Sequence, residues 1–245
     1  MLESAIDQVL EAQRASQKPL GIILAGHNGS GKSTMWRDHL SEKLQIPLVN
    51  ADRMMLSILP EVDDLLDLPD WATNLRDRNG AWMRVAQLGV ESFVAQAMVQ
   101  QVPFAMETVF SDWAPRDDGS IRSKIEKIQQ LQEEGYFVLL CFVGLSNADL
   151  SIARVLTRVA AGGHGIPELK LRDRFPRTQQ AIMKAKSIAD AAILVDNSLS
   201  ADEAFGVCQI QLGEKILFDL RDEGPVEPAI LEWLDIVGSQ DVAPG

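Results

Sequence analysis

Apolar residues along this chain come in two rhythms. Short continuous runs occur at LGIILA (20–25), IPLVNA (46–51), PFAMETV (103–109), YFVLLCFVGL (136–145) and AAILVD (191–196). Runs of this length without polar alternation suit strands buried on both faces. Between them lie stretches with helical spacing, at 32–44, 79–101, 120–134, 148–162 and 177–188. Strands that alternate with helices predict an α/β domain over 20–200, with five parallel strands and helices on both faces of the sheet.

Ahead of this domain, in segment 1–19, Leu2, Ala5, Ile6, Val9 and Leu10 predict an amphipathic helix over 2–16 that Pro19 ends. Behind it, 201–245 reads as a helical extension, with helices over 201–219 and 226–237, a DEGP turn between them and a disordered tail. The acidic, weakly patterned stretch 60–78 reads as an insertion or cap.

Composition removes several classes of function. With 245 residues, the chain can bury roughly three quarters of its unfolded surface and needs no disulfide or metal to fold. Its 23 basic and 35 acidic residues leave a net charge of −12, which argues against a nucleic-acid coat or a polybasic membrane anchor. Cys141 lies in an apolar run and reads as core, and one further cysteine, Cys208, makes no zinc pattern. No apolar run approaches the roughly 18 residues of a membrane span, and the N-terminus lacks the pattern of a signal peptide. The expectation is a cytoplasmic protein with a small-molecule substrate, and with neither nucleic acid nor membrane as partner.

One motif changes the picture. Gly26-His27-Asn28-Gly29-Ser30-Gly31-Lys32-Ser33 fits G-x-x-x-x-G-K-[ST], follows a predicted strand and, with Thr34, opens a predicted helix. Its glycines let backbone N–H groups converge on phosphate oxygens, and the helix N-terminus adds partial positive charge. Lys32 is placed to reach the β- and γ-phosphates, and the Ser33 hydroxyl to hold Mg²⁺. Lys32 is expected to be exposed while no nucleotide is bound. His27 reads as a loop filler rather than a catalyst, and His39 as structural.

Ligands of open parallel sheets bind beyond the carboxyl ends of the strands. Asp52 follows the second predicted strand and Glu107-Thr108 ends the third, so both carboxylates are expected to share a crevice with Lys32. Asp52 can serve as general base for an acceptor hydroxyl, or merely as helix N-cap before MMLSIL. Glu107 can bind substrate or metal, or simply pair with a basic neighbour. Arginine clusters between the fourth and fifth strands: Arg154 and Arg158 share a helix face, and Arg172, Arg174 and Arg177 follow the break Gly162-Gly163-His164-Gly165. Such a segment can close over a phosphoryl group as a lid, with His164 touching substrate, or its arginines can be salt-bridged to Glu168 and Asp173 on a solvated face.

The ordered set GHNGSGKST, NAD, ETVFS, GYFVLLCFVGL, RVLTRVAAGGHGIP with RDRF, and VDNS resembles the zeta-toxin family of P-loop kinases over about residues 20–200. The resemblance implies a strand order 2-3-1-4-5, ATP and Mg²⁺, and phosphorylation of a sugar hydroxyl of UDP-N-acetylglucosamine. It implies Lys32 and Ser33 at the phosphate and metal positions, Asp52 as catalytic base, Glu107 and Thr108 at the acceptor, and Arg158 on phosphates. A second arginine of the family pattern, just before the lid proline, is missing here; either Arg172 or Arg174 takes its role, or the role is absent. Arg158 and Arg174 are both expected to approach the triphosphate in a closed state, Arg158 already lying near the loop. A separate antitoxin protein is the implied macromolecular partner. The sequence thus reads as an ATP-dependent phosphotransferase acting on a nucleotide sugar. The alternatives are a kinase of a dinucleotide or nucleoside, and a non-catalytic ATP-binding regulatory module.

Overall fold

The structure is a computed structural model that describes residues 1–116, 121–163 and 165–239. Its strands are β1 Leu20–Gly26, β2 Leu48–Val49, β3 Phe104–Thr108, β4 Trp113–Pro115, β5 Ile121–Ser123, β6 Phe137–Gly144, β7 Ala191–Asp196, β8 Gly206–Leu212 and β9 Lys215–Asp219. Seven of them form one sheet in the order β2-β3-β1-β6-β7-β8-β9, and β4 pairs with β5 in a separate antiparallel hairpin. β2, β3, β1, β6 and β7 run parallel to their neighbours. β8 and β9 add to β7 antiparallel. The sheet is therefore seven-stranded and mixed, not five-stranded and wholly parallel.

The two added strands replace the helix expected over 201–219. Val207, Ile210 and Leu212 face one core while Cys208 faces the other, and the turn uses Gly213 at φ 55. Gln209 and Gln211 are buried in that hairpin, and a buried polar group is tolerable only when hydrogen-bonded. Gln209 Oε1 accepts from Lys186 Nζ at 2.8 Å, and its Nε2 donates to Asp219 at 2.6 Å. Lys186 Nζ also donates to the Gly238 carbonyl at 2.8 Å, which ties the end of helix Pro228–Val237 to the sheet.

Side chains on adjacent sheet residues point to opposite faces, so the continuous apolar runs feed two cores. Ile23, Leu140, Phe142 and Leu194 pack against helices Gly80–Gln100, Ile125–Glu133, Glu168–Ile188 and Pro228–Val237. Ile22, Leu24, Cys141 and Ile193 pack against the N-terminal helix Leu2–Ser16 and against Met35 and Trp36. The expected helix at 120–134 begins only at Ile125, because 121–123 pair in the hairpin. The helix expected from 177 starts nine residues earlier, at Glu168, and runs through Pro176. Proline lacks the donor for the Arg172 carbonyl and normally breaks a helix. Here the packing of Phe175, Thr178 and Ile182 on either side of it overrides that preference. Among the described residues no helix is long and apolar enough to cross a membrane.

Candidate active site

β1 ends in the phosphate loop, and the chain there turns sharply into the helix that begins at Lys32. Gly31 caps that helix at φ 89, and a Cβ on it would stand 2.5 Å from Asn197 Nδ2. Only glycine fits that left-handed conformation and close approach. Asn197, just past β7, donates Nδ2 to the Ser30 carbonyl at 2.9 Å. Ser151, on helix Ala148–Ala160, donates Oγ to the Asn28 carbonyl at 2.7 Å. The loop is thus held from two elements.

Lys32 is buried, 7% accessible, contrary to the exposure that the sequence predicts. Its Nζ donates to the loop's own carbonyls, Gly26 O at 3.2 Å and His27 O at 2.8 Å. Burial lowers the Lys32 pKa. Glu107 and Asp52 pull it back up, while Arg158 and Lys124 push it down. All four charges therefore bear on the same ammonium group.

His27 is buried and stacks on Phe175, with ring centroids 3.9 Å apart. Its Nε2 finds no partner, and burial followed by the Lys32 charge lowers its pKa to about 3. It is therefore neutral at working pH, in keeping with a residue that does no acid–base chemistry. The linkage has a definite sign. Between pH 6.5 and 3 the unfolded chain binds a proton here that the folded chain refuses, so this site costs stability as pH falls through that window. His27→Phe, which keeps the stack, is expected to reduce the drop in Tm on acidification from pH 6.5 to 4. An unchanged pH dependence of melting would refute this assignment.

Ser33 Oγ donates to Glu107 at 2.9 Å and Asn50 Nδ2 donates to the same carboxylate at 2.7 Å. Glu107 thus joins β3 to the phosphate helix, rather than pairing with a basic neighbour among the described bonds. Among the described residues no three His, Cys, Asp or Glu side chains converge as a metal cage. A hydroxyl beside a carboxylate nevertheless suits Mg²⁺, which keeps water and phosphate oxygens as most of its ligands. Ser33 and Glu107 are the residues that fit it.

Asp52 is exposed in the first turn of helix Ala51–Leu56. The cap of that helix is Asn50, whose side chain accepts from the Asp52 and Arg53 N–H groups at 2.8 and 3.4 Å. The capping alternative for Asp52 is thereby removed. Asn50 stands in the same NAD motif as Asp52, and its type and its place just before the helix are the signal for that cap.

The arginines separate into two groups. Arg172 bonds to Asp149 and Glu168, at 2.7 and 2.8 Å, and Arg177 pairs with Asp173, so these two line a solvated face. Arg158 is exposed and bears electrostatically on Lys32. Arg174 is half-buried and bears on Lys124. Lys124, at the start of helix Ile125–Glu133, donates to the hydroxyl of buried Thr108. No motif marked Lys124, because the hairpin that brings it to β3 is invisible locally. Residues 168–175, expected in the lid, are helical. His164 lies outside the described residues. His39 touches the edge of Phe205, with ring centroids 5.3 Å apart.

A mixed sheet whose parallel strands carry a phosphate loop after β1, with carboxylates and cations at the ends of the neighbouring strands, defines a P-loop kinase-like protein. A sequence model of the family described as Zeta toxin matches residues 4–201, and the chain belongs to that family. An uncharacterized protein of Haemophilus influenzae is 27% identical over 154 residues, which are 63% of this chain and 91% of its own. A chain of the PezAT chromosomal toxin–antitoxin system of Streptococcus pneumoniae superposes with a TM-score of 0.53 at 16% identity, over 97% of this chain and 88% of that one. A chain of the AvrRxo1-ORF1:ORF2 complex with ATP gives 0.56 at 15% identity, over 99% and 71%. These likenesses share the fold.

Proposed function

We propose that the protein transfers the γ-phosphate of ATP to a hydroxyl of a small molecule, and that this acceptor is a nucleotide sugar of the UDP-N-acetylglucosamine type. The observation that carries the reading is the convergence of Lys32, Ser33, Glu107 and Asp52 on one crevice beside the phosphate loop. The description of a structural relative with ATP supports ATP as the donor.

In this reading Asp52 accepts the proton of the acceptor hydroxyl as its oxygen bonds to the γ-phosphorus. The bond from that phosphorus to the β,γ-bridging oxygen breaks, and ADP leaves. Lys32 turns from the loop carbonyls to the β- and γ-phosphates, and Arg158 adds charge at the transferring group. Ser33 and Glu107 would hold Mg²⁺, which when bound would neutralise phosphate charge. Asn50 fixes Glu107 and the helix that carries Asp52. The kinship with toxin–antitoxin proteins supports a separate antitoxin as partner.

Incubation with γ-labelled ATP and a bacterial metabolite extract, read by mass spectrometry, tests the reading. A labelled phosphomonoester of a nucleotide sugar is expected. Slow hydrolysis with no labelled acceptor would instead identify a regulatory module. Arg158→Ala is expected to lower kcat and kcat/KM together, by about 10²-fold or more, since its charge acts on the transition state. A rise in KM for ATP alone would assign Arg158 to ground-state binding.

A further inference from the structure

Helix Gly80–Gln100, 21 residues long, is apolar on two opposite sides. Ala86, Val94, Ala97 and Met98 are buried on the inner side. On the outer side Ala81, Val85, Leu88, Ser92, Ala95 and Val99 are all exposed, and they recur at alternating spacings of four and three residues. At 3.6 residues per turn the two sets point in opposite directions. Val85, Leu88 and Val99 are 57%, 50% and 73% accessible, so the outer side has no cover among the described residues. A helix face turned to water normally carries charge. The charged residues of this helix are Arg84 and Glu91 alone, in a chain that is 24% charged. Apolar and small residues at alternating four-three spacing form the seam of a coiled coil, which fits a second helix better than it fits water.

The seam is complementary to itself. Turned antiparallel about a two-fold axis level with Val90, it sets Ala81 against Val99 of a second copy, Val85 against Ala95, and Leu88 against Ser92. Every layer then joins one large side chain to one small one, which keeps the helices evenly spaced and the seam filled. Parallel pairing would set Leu88 against Leu88 and Ser92 against Ser92, with thick layers beside thin ones and voids at the thin ones. The Ser92 hydroxyl can bond the Leu88 carbonyl of its own helix, so it tolerates burial. Charge points the same way. Two copies of net charge −12 repel over most of their surface, whereas Arg84 and Glu91 leave this face neutral. Glu91 is also within electrostatic reach of Lys127 on helix Ile125–Glu133.

We propose that the outer face of helix Gly80–Gln100 is an interface between two copies of this chain, whose helices pair antiparallel about a two-fold axis at Val90. Such a pairing closes on itself and leaves no open end for further growth. The contact is one helix wide and about 30 Å long, so it is small, and a dissociation constant on the order of 10 μM is expected. Gly89, on the flank of the seam, lets helix Ala51–Leu56 lie close, since a Cβ there would stand 2.5 Å from Met54 Sδ. The second copy therefore stands beside the helix that carries Asp52. The interface holds whether or not the protein transfers phosphate.

Sedimentation of the full chain tests this. The protein is expected to pass from monomer to dimer over roughly 1–100 μM. Leu88→Glu changes an exposed side chain, so it should leave the fold intact, as read by circular dichroism and by affinity for an ATP analogue within about twofold. It should nevertheless stay monomeric throughout that range. Single cysteines then report the register, because the native Cys141 and Cys208 are buried. On oxidation with copper phenanthroline, Leu88→Cys mixed with Ser92→Cys should yield a disulfide-linked dimer, and neither variant alone should do so. A protein that remains monomeric at about 100 μM, whether this face takes a different protein or none, overturns the proposal. So does a dimer that Leu88→Glu leaves intact. Linkage of Leu88→Cys to itself would show parallel pairing and overturn the antiparallel arrangement.

Discussion

Lys32→Ala is expected to reduce ATP-dependent phosphate transfer by about 10²–10³-fold or more, while the protein remains folded. The loss follows from charge. Lys32 is the cation inside the phosphate loop, and nothing else on that loop can meet the β- and γ-oxygens with a full positive charge. Stability is a separate matter, because the side chain is buried and donates to two loop carbonyls. Removing it frees those carbonyls, which costs stability, but also removes an ammonium that burial disfavours. The two effects oppose, and a change of no more than about 1–2 kcal/mol is expected. Turnover of labelled ATP and a thermal melt on the same preparation check both parts. A well-folded variant that still transfers phosphate at the parental rate would end the assignment of this loop as the donor site.

Asp52→Asn should lower kcat by about 10²–10⁴-fold, with little change in affinity for ATP. The structure makes this a clean substitution. Asn50 already caps the helix, so Asp52 has no capping bond to lose. Its remaining structural role is a first-turn carboxylate near a helix N-terminus, worth about 0.3–1 kcal/mol. An amide of the same shape keeps the local packing and cannot take a proton. Glu107 cannot readily substitute as base, since Ser33 and Asn50 already donate to its carboxylate. Pre-steady-state transfer from ATP, together with nucleotide affinity by calorimetry, separates the outcomes. Full activity in the Asn variant would move the base elsewhere in the crevice.

The parts of this protein that could be read from the sequence share a property: their signal is local. The phosphate loop is a contiguous motif whose glycines, lysine and serine act through backbone geometry. The runs at 20–25, 136–145 and 191–196 became β1, β6 and β7, each buried at every position, because an apolar run without alternation has nowhere to go but the middle of a sheet. The same reasoning failed at 201–219. Gln209 and Gln211 break the apolar pattern there, and their burial depends on Lys186, Asp219 and Gly238, which come from other elements. The alternation V-C-Q-I-Q-L and the following Gly213 were nevertheless a readable hairpin signal.

What the sequence by itself determined was the kind of chemistry: a phosphate cradle at the end of a buried strand, and carboxylates at the ends of its neighbours. Tertiary structure alone decided which charges share a space. It left Arg172 and Arg177 to surface ion pairs and brought Arg158 within electrostatic reach of Lys32. It also turned Lys32 inward and drew Lys124 across a hairpin to Thr108. A motif fixes the donors and acceptors within a few residues of chain. The protonation and partners of a charge depend on its desolvation and on neighbours brought from distant segments, and those exist only once the chain has packed.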